Sequence, residues 1–207
     1  PIVAVKKLKS KEEAKRFGVV EVNDDGKIVS FEEKPEKPKS TLIATAIYAL
    51  PKDCIGYVRE YLDEGNNPDA PGYFFQWLIK KVDVYAYKFE GLWFDIGTLS
   101  GYFEALKNML RETYIGSNTA IEGKIIEPCF IGENVRIDEK SVVGPYAVIC
   151  DGVSVVNSQI NTALVMEASK IENAILSRSL IGRKAVIRGG IIEDSILAGH
   201  TKLNVKR

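Results

Sequence analysis

The sequence has few of the residues that build the most common metal and disulfide sites. It contains one histidine and three cysteines among 207 residues. No His or Cys stands at metal-ligand spacing to another, so a zinc site is not expected. The cysteines, Cys54, Cys129 and Cys150, are an odd and sparse set without a CxxC pair. This usage indicates free thiols in a reducing compartment and therefore a cytoplasmic protein.

A surplus of charge and a long apolar run are also missing. The 28 basic and 28 acidic side chains give a formal net charge of zero, which argues against a nucleic-acid-binding protein. The one compact basic cluster, Lys6–Lys9, fits a solvated strand end. No apolar run approaches the length of a membrane span, and Pro1–Val5 lacks the pattern of a signal peptide. We therefore expect neither nucleic acid nor a membrane as a partner.

A glycine-rich phosphate-binding loop occurs nowhere in the sequence. The chain lacks an initiator Met and opens directly on Pro1–Val5, an apolar and strand-like run, whereas domains usually begin with polar, loosely held residues. We therefore expect a cut through a domain, so that this chain carries part of an active site.

The first part of the chain, residues 1–112, predicts an α/β domain. Ser10–Glu13 has the form of a capping box and predicts the start of a short helix. The turn residues Asn23–Gly26 lie between two apolar runs and predict a hairpin. Thr41–Leu50 predicts a buried strand, and the apolar spacing after Leu99 predicts an amphipathic helix to about Leu110.

From residue 113 to residue 207 the period changes to six. Apolar β-branched residues recur on this grid at Ile115, Ile121, Ile131, Ile137, Val143, Ile149, Ile181 and Ile187. A hexapeptide repeat predicts a left-handed parallel β-helix. Between Val155 and Leu180 the grid is looser, which we interpret as turns with insertions. We expect this second domain to act mainly as a scaffold or an oligomer contact.

Two charged side chains stand where chemistry could occur. Lys34 follows a strand that ends at Phe31, and as a point charge it could hold a phosphate, although charged turns are also common without any function. Asp95 lies between a strand and a helix, next to Gly97, which permits close backbone approach. A carboxylate there fits a metal or phosphate site, but it could equally serve only to cap the helix.

The order of four short motifs is more specific than any one of them. Phe17–Val19, Phe31–Pro35, Thr45–Tyr48 and Trp93–Thr98, followed by a helix and hexads, resemble the nucleotide-sugar pyrophosphorylases, or sugar-1-phosphate nucleotidyltransferases. The resemblance spans almost the whole chain. It is nearest to the glucose-1-phosphate thymidylyltransferase type with a β-helical tail.

The resemblance implies a role for each candidate residue. Gly18 offers its backbone to the sugar, Glu33 binds sugar hydroxyls, Lys34 holds the sugar phosphate, and Asp95 binds Mg²⁺. The substrates are a sugar 1-phosphate, expected to be glucose 1-phosphate, and a nucleoside triphosphate, and the products are an NDP-sugar and pyrophosphate. Catalysis rests mainly on positioning and on charge stabilisation.

Departures from the family pattern leave alternatives open. The family's nucleotide loop is missing from the sequence, so the chain alone is expected to be inactive, and Ala46 stands where the family usually has Gly. A β-helical sugar acyltransferase, or a bifunctional enzyme, would need a general base, for which the only histidine is His200. A non-catalytic regulatory or assembly subunit is a third possibility. We expect self-association through β-helix faces or sheet edges.

Overall fold

The computed structural model describes residues 1–205. They form two compact units, of which the first is Pro1–Trp93 and the second begins at Phe94. The assignment of domains to residues 1–112 and 113–207 stays a prediction. Within the described residues, no helix combines the length and the apolar character that crossing a membrane requires.

A five-stranded sheet forms the centre of the first unit. Its strands are β1 (Ile2–Lys7), β2 (Gly18–Val22), β3 (Ile28–Glu33), β4 (Leu42–Ala49) and β5 (Tyr85–Lys88). They lie in the order β3-β2-β4-β1-β5. The pairs are antiparallel except for β5, which runs parallel to β1. The predicted β2–β3 hairpin is confirmed, and Gly26 in its turn has a positive φ of 79°, which glycine adopts without steric cost.

Short helices connect the strands. They are α1 (Lys11–Ala14), a 3₁₀ turn (Lys52–Cys54), α2 (Gly56–Asp63) and α3 (Pro71–Leu78). The hydroxyl of Ser10 accepts the N–H of Glu13 at 3.3 Å, as the capping box predicts. Pro71 stands at the first position of α3, where the N–H that proline lacks would have no partner in the helix.

Helix α3 is fixed to one face of the sheet by its aromatic and aliphatic side chains. Phe75 and Leu78 are buried in one cluster with Val5, Val20 and Phe31 of the strands. Complete burial of each such side chain contributes about 1.5–3 kcal/mol. The ring of Phe75 also stacks on Tyr48, with centroids 4.2 Å apart. These contacts hold the first turn of α3 close to the end of β3.

The second unit consists of α4 (Leu99–Met109) and a parallel β-solenoid of about six turns, consistent with a left-handed β-helix. The predicted fold class is confirmed. The solenoid strands are β6 (Tyr114–Ile115), β7 (Ala120–Ile121), β8 (Lys124–Ile125), β9 (Cys129–Ile131), β10 (Arg136–Ile137), β11 (Val142–Val143), β12 (Ala147–Ile149), β13 (Ser154–Val156), β14 (Gln159–Asn161), β15 (Leu164–Val165), β16 (Lys170–Glu172), β17 (Ile175–Ser177), β18 (Leu180–Ile181), β19 (Val186–Arg188), β20 (Ile191–Glu193), β21 (Ile196–Leu197) and β22 (Lys202–Asn204). Every third strand belongs to the same sheet, which gives three sheets around one apolar core.

The length of a coil changes along the solenoid. Arg136 pairs with Ser154, eighteen residues later, whereas Ser154 pairs with Lys170, only sixteen residues later. The prediction of insertions between Val155 and Leu180 is therefore wrong, because the coils there are shorter. The buried Val155, Ile160 and Val165 lie five residues apart, so two of three corners have lost a residue from the hexad.

Candidate functional site

Glu33 is the last residue of β3, and Gly18, the first residue of β2, lies opposite it. These two residues are paired across the β2–β3 hairpin. A Cβ placed on Gly18 would lie 3.0 Å from Oε2 of Glu33 and 2.8 Å from the ring of Phe31. A side chain at position 18 would therefore have to displace one of them. The structure thus brings together two of the predicted site residues.

Gly72, in the first turn of α3, supplies the other side of this site. A Cβ on Gly72 would overlap Oε2 of Glu33 and would lie 2.5 Å from its Cδ. One turn further along α3, Oε1 of Gln76 accepts the backbone N–H of Glu33 at 3.3 Å. Sequence reasoning did not find this part of the site, because no spacing in a single sequence connects residue 33 with residues 72 and 76.

Burial sets the electrostatics around Glu33. Partial removal from water raises the pKa of the Glu33 carboxyl, and the neighbouring charge of Lys34 opposes that shift. Burial, with the charge of Glu33 as a smaller cause, raises the pKa of Tyr48 to about 12. The site therefore combines a carboxyl group whose oxygens can accept hydrogen bonds with a phenol that stays protonated at neutral pH.

The backbone of Lys34 is fixed by a hydrogen bond and has an unusual conformation. Its N–H donates to the carbonyl of Phe17 at 3.1 Å, and its φ of 45° lies in the left-handed region, which is uncommon for a residue other than glycine. The side chain is exposed. Backbone conformations of this kind cluster at functional sites, and an exposed ammonium group suits the binding of a phosphate.

Asp95 belongs to the second unit, in the turn that precedes α4. Its Oδ1 accepts the N–H of Gly97 at 3.0 Å. Thr98 is the N-cap of α4, and its hydroxyl accepts the N–H of Gly101 at 3.1 Å. The alternative in which Asp95 itself caps the helix is therefore wrong. A Cβ on Gly101 would overlap the carbonyl oxygen of Asp95, so this turn packs closely on the first turn of the helix.

Asp95 offers one carboxylate that could bind a divalent metal ion. Across residues 1–205 there is no group of three or more His, Cys, Asp or Glu side chains placed to hold one. Mg²⁺, however, is commonly bound by only one or two carboxylates together with waters and substrate phosphates. The chemistry of Asp95 fits such a partial ligand set, and it does not amount to a metal centre in itself.

His200, the candidate general base of an acyltransferase, is exposed in the turn before β22 with a φ of 63°. Nothing in the described part of the chain favours the acyltransferase alternative.

Comparison with known proteins gives a family match for the first half of the chain. The family model described as nucleotidyl transferase matches residues 2–112. This stretch contains Gly18, Glu33 and Lys34 of the first unit and Asp95 of the second.

Individual relatives extend the match into the solenoid. The chain is 30% identical over 204 residues to glucose-1-phosphate adenylyltransferases of Bacillus cereus (strain Q1) and Bacillus anthracis, and 29% identical to that of Bacillus mycoides (strain KBAB4). Each alignment covers 87% of this chain and 53% of the relative. The chain thus spans about half the length of the curated relatives that it matches. Their names specify adenylyl transfer, which differs from the thymidylyl type that the sequence motifs suggested.

Proposed function

Because the chain belongs to the nucleotidyl transferase family, we propose that it carries the sugar-phosphate side of an enzyme that makes a nucleotide sugar. An oxygen of the sugar 1-phosphate forms a bond to the α-phosphorus of a nucleoside triphosphate. The bond from that phosphorus to the departing pyrophosphate breaks at the same centre. The observation that supports this proposal most directly is the half-buried Glu33 carboxylate, seated between two glycines next to the exposed Lys34.

The residues of the first unit divide the recognition of the sugar phosphate among them. Glu33 accepts hydrogen bonds from sugar hydroxyls, and its partial dehydration favours a ligand that replaces the lost water. Gly18 offers its backbone to the sugar, and because it has no side chain it leaves Glu33 and Phe31 in place. Lys34 neutralises charge on the sugar phosphate. This lowers the repulsion between the sugar phosphate and the triphosphate, because both are anions.

The family and its named relatives support a proposal for the nucleotide and for the metal. Since the relatives are named glucose-1-phosphate adenylyltransferases, we propose ATP and glucose 1-phosphate as substrates and ADP-glucose as the product. Nucleotidyltransferases of this family generally use a divalent metal ion. We assign one carboxylate ligand of Mg²⁺ to Asp95, and the ion would screen the phosphate charges when bound.

We also propose a cytoplasmic homo-oligomer. The described cysteines, Cys54, Cys129 and Cys150, are free thiols, which suits a reducing compartment. The solenoid exposes large apolar side chains at Ile191 and Ile196, and such exposed side chains are candidates for a subunit contact. Light scattering on the purified protein would test the oligomeric state.

The substrate proposal is tested in the full-length enzyme that carries this chain. Pyrophosphate release is measured with glucose 1-phosphate and each common nucleoside triphosphate, in the wild type and in Lys34→Ala. We expect ATP to be preferred. Lys34→Ala should raise the KM for glucose 1-phosphate by roughly tenfold or more, because a charge-assisted contact to phosphate is lost, and should leave the KM for ATP nearly unchanged.

Lys37→Ala is the matched control, since Lys37 is an exposed lysine three residues away and is expected to have no effect. Preference for another triphosphate would overturn the adenylyl assignment alone. Equal behaviour of Lys34→Ala and Lys37→Ala would overturn the role of Lys34. Turnover of acetyl-CoA without pyrophosphate release would favour the acyltransferase alternative instead.

A further inference from the structure

Helix α3 contacts Glu33 at two points that lie on the same face of the helix. The first is the carboxylate, which fills the space that a side chain on Gly72 would need. The second is the backbone N–H, which donates to Oε1 of Gln76. Gly72 and Gln76 are four residues apart, the spacing that places two helical residues one above the other. Together they restrain both the main chain and the side chain of Glu33.

We infer that α3 is a positioning element for the sugar-binding carboxylate, with Gly72 and Gln76 as the positioning residues. This inference rests on the proposed function, because it assumes that Glu33 binds the sugar. Position 72 sets how far the carboxylate can swing toward the helix, and Gln76 fixes where β3 ends relative to α3. Neither residue is required to contact a substrate.

The helix is rigid enough to act in this way. Phe75 and Leu78 lie within the same two turns and are buried against the sheet. Phe75 also stacks on Tyr48, whose pKa is raised in part by the charge of Glu33. The first turn of α3 therefore cannot easily retreat from a new side chain at position 72. Glu33 would move instead, because its two outer torsions are the softest part of the contact.

The consequence for catalysis is a displaced acceptor. A carboxylate that shifts by about 1 Å can cost a reaction roughly 100-fold, because the bound geometry must be close to that of the transition state. Gly72→Ala should therefore lower kcat/KM for the sugar 1-phosphate by roughly 10- to 100-fold, mainly through a higher KM for that substrate, while the KM for the nucleoside triphosphate stays near its wild-type value. Gln76→Met, which keeps the length of the side chain and removes the acceptor oxygen, should raise the same KM by a smaller factor.

The experiment is a double-mutant cycle in the full-length enzyme with Glu33→Ala, Gly72→Ala and both together. Both KM values and the thermal midpoint are measured for each variant. If the overlap with Glu33 is the cause, Gly72→Ala should cost sugar affinity in the wild-type background and almost nothing once Glu33 is alanine. Should Gly72→Ala alone fold poorly, the double variant should recover the thermal midpoint, because the overlapping atoms are then missing.

Gly56→Ala is the matched control, since Gly56 also lies in the first turn of a helix, and a Cβ there would meet nothing within 4 Å. A Gly72→Ala effect that is equal in both Glu33 backgrounds, or that is matched by Gly56→Ala, would overturn the positioning role. If Glu33→Ala itself leaves the sugar KM unchanged, the proposed function of Glu33 fails first, so the two failures are distinguishable.

Discussion

The hydroxyl oxygen of Ser169 accepts the backbone N–H of Ala185, sixteen residues later, at 3.1 Å. The same hydroxyl donates to the carbonyl of Gly182 at 3.0 Å. Ser158 makes the equivalent bond to the N–H of Ala174 at another corner. Small hydroxyl residues therefore connect successive coils at positions where the corner leaves a backbone donor without a strand partner.

Removing one of these hydroxyls should destabilise the solenoid measurably. Ser169 and Ala185 are both fully buried. In Ser169→Ala the N–H of Ala185 therefore stays buried but loses its acceptor. A buried donor without a partner costs about 1–3 kcal/mol. Chemical denaturation followed by circular dichroism should show this decrease in the free energy of unfolding. Ser117→Ala, at an exposed serine, is the control, and equal losses for the two variants would contradict the corner bond.

Ala46 gives a prediction of the opposite sign. It has a φ of 61° in the middle of β4, and it stands where the family usually has glycine. The left-handed conformation costs a residue with a Cβ about 1–2 kcal/mol. Glycine avoids this cost, but it loses more conformational freedom on folding, and this loss offsets part of the gain. Ala46→Gly should therefore raise the free energy of unfolding by about 0.5–1 kcal/mol.

Ala49→Gly is a control on the same strand, since Ala49 is exposed as Ala46 is and does not have a positive φ. There the same exchange should lower the free energy of unfolding by about 0.5–1 kcal/mol, as glycine generally does in a strand. Destabilisation by both exchanges would show that the backbone at position 46 is not strained.

The sequence predicts the solenoid well because its core residues are local and periodic. Ahead of Val155, inward residues such as Ile137 and Val143 occur on the hexad grid, and the fold follows from stacking neighbouring coils. The region after Val155 was misinterpreted because a corner can lose one residue and still close. Left-handed residues such as Asn157 and Thr162 close these five-residue steps, and one sequence offers no signal that separates a shortened corner from an insertion.

The candidate site was predictable only where its residues lie within motifs. Gly18 and Glu33 were found because the family resemblance points to them, and the hairpin register of the structure then pairs them. Gly72 and Gln76 were not found, because their relation to Glu33 exists only once α3 packs against β3. Gly72 carries no side chain that could suggest chemistry, and its contribution is the space that it leaves for the carboxylate of Glu33.

Glu33 is expected to reduce stability at neutral pH, because burial raises its pKa above that of the unfolded chain. The native state then binds more protons than the unfolded state, so stability falls as pH rises from about 4.3, the unperturbed pKa of glutamate, through the raised pKa. Glu33→Gln, which keeps the shape and removes the charge, should raise the thermal midpoint at pH 7 and lose this advantage below about pH 4.

Thermal melts of the wild type and Glu33→Gln from about pH 3 to about pH 8, a range that brackets the pKa of glutamate, would measure this difference. Glu36→Gln, at an exposed position three residues later, should leave the melting curves almost unchanged. The same Glu33 variant should bind the sugar 1-phosphate more weakly, so stability and function would change in opposite directions. A pH-independent shift in the thermal midpoint would contradict the explanation through burial.

Asp95 allows the charge of its side chain to be separated from its part in the turn before α4. Asp95→Asn retains an Oδ1 that can accept the N–H of Gly97, so the turn should persist, while the negative charge is lost. In the full-length enzyme we expect turnover to fall by roughly tenfold or more at limiting Mg²⁺, since each factor of ten corresponds to about 1.4 kcal/mol of transition-state stabilisation. Added Mg²⁺ should restore part of the loss. Asp95→Ala removes the acceptor as well, and should therefore also lower the thermal midpoint. Turnover of Asp95→Asn that matches the wild type at every Mg²⁺ concentration would show that Asp95 serves the turn and not the metal.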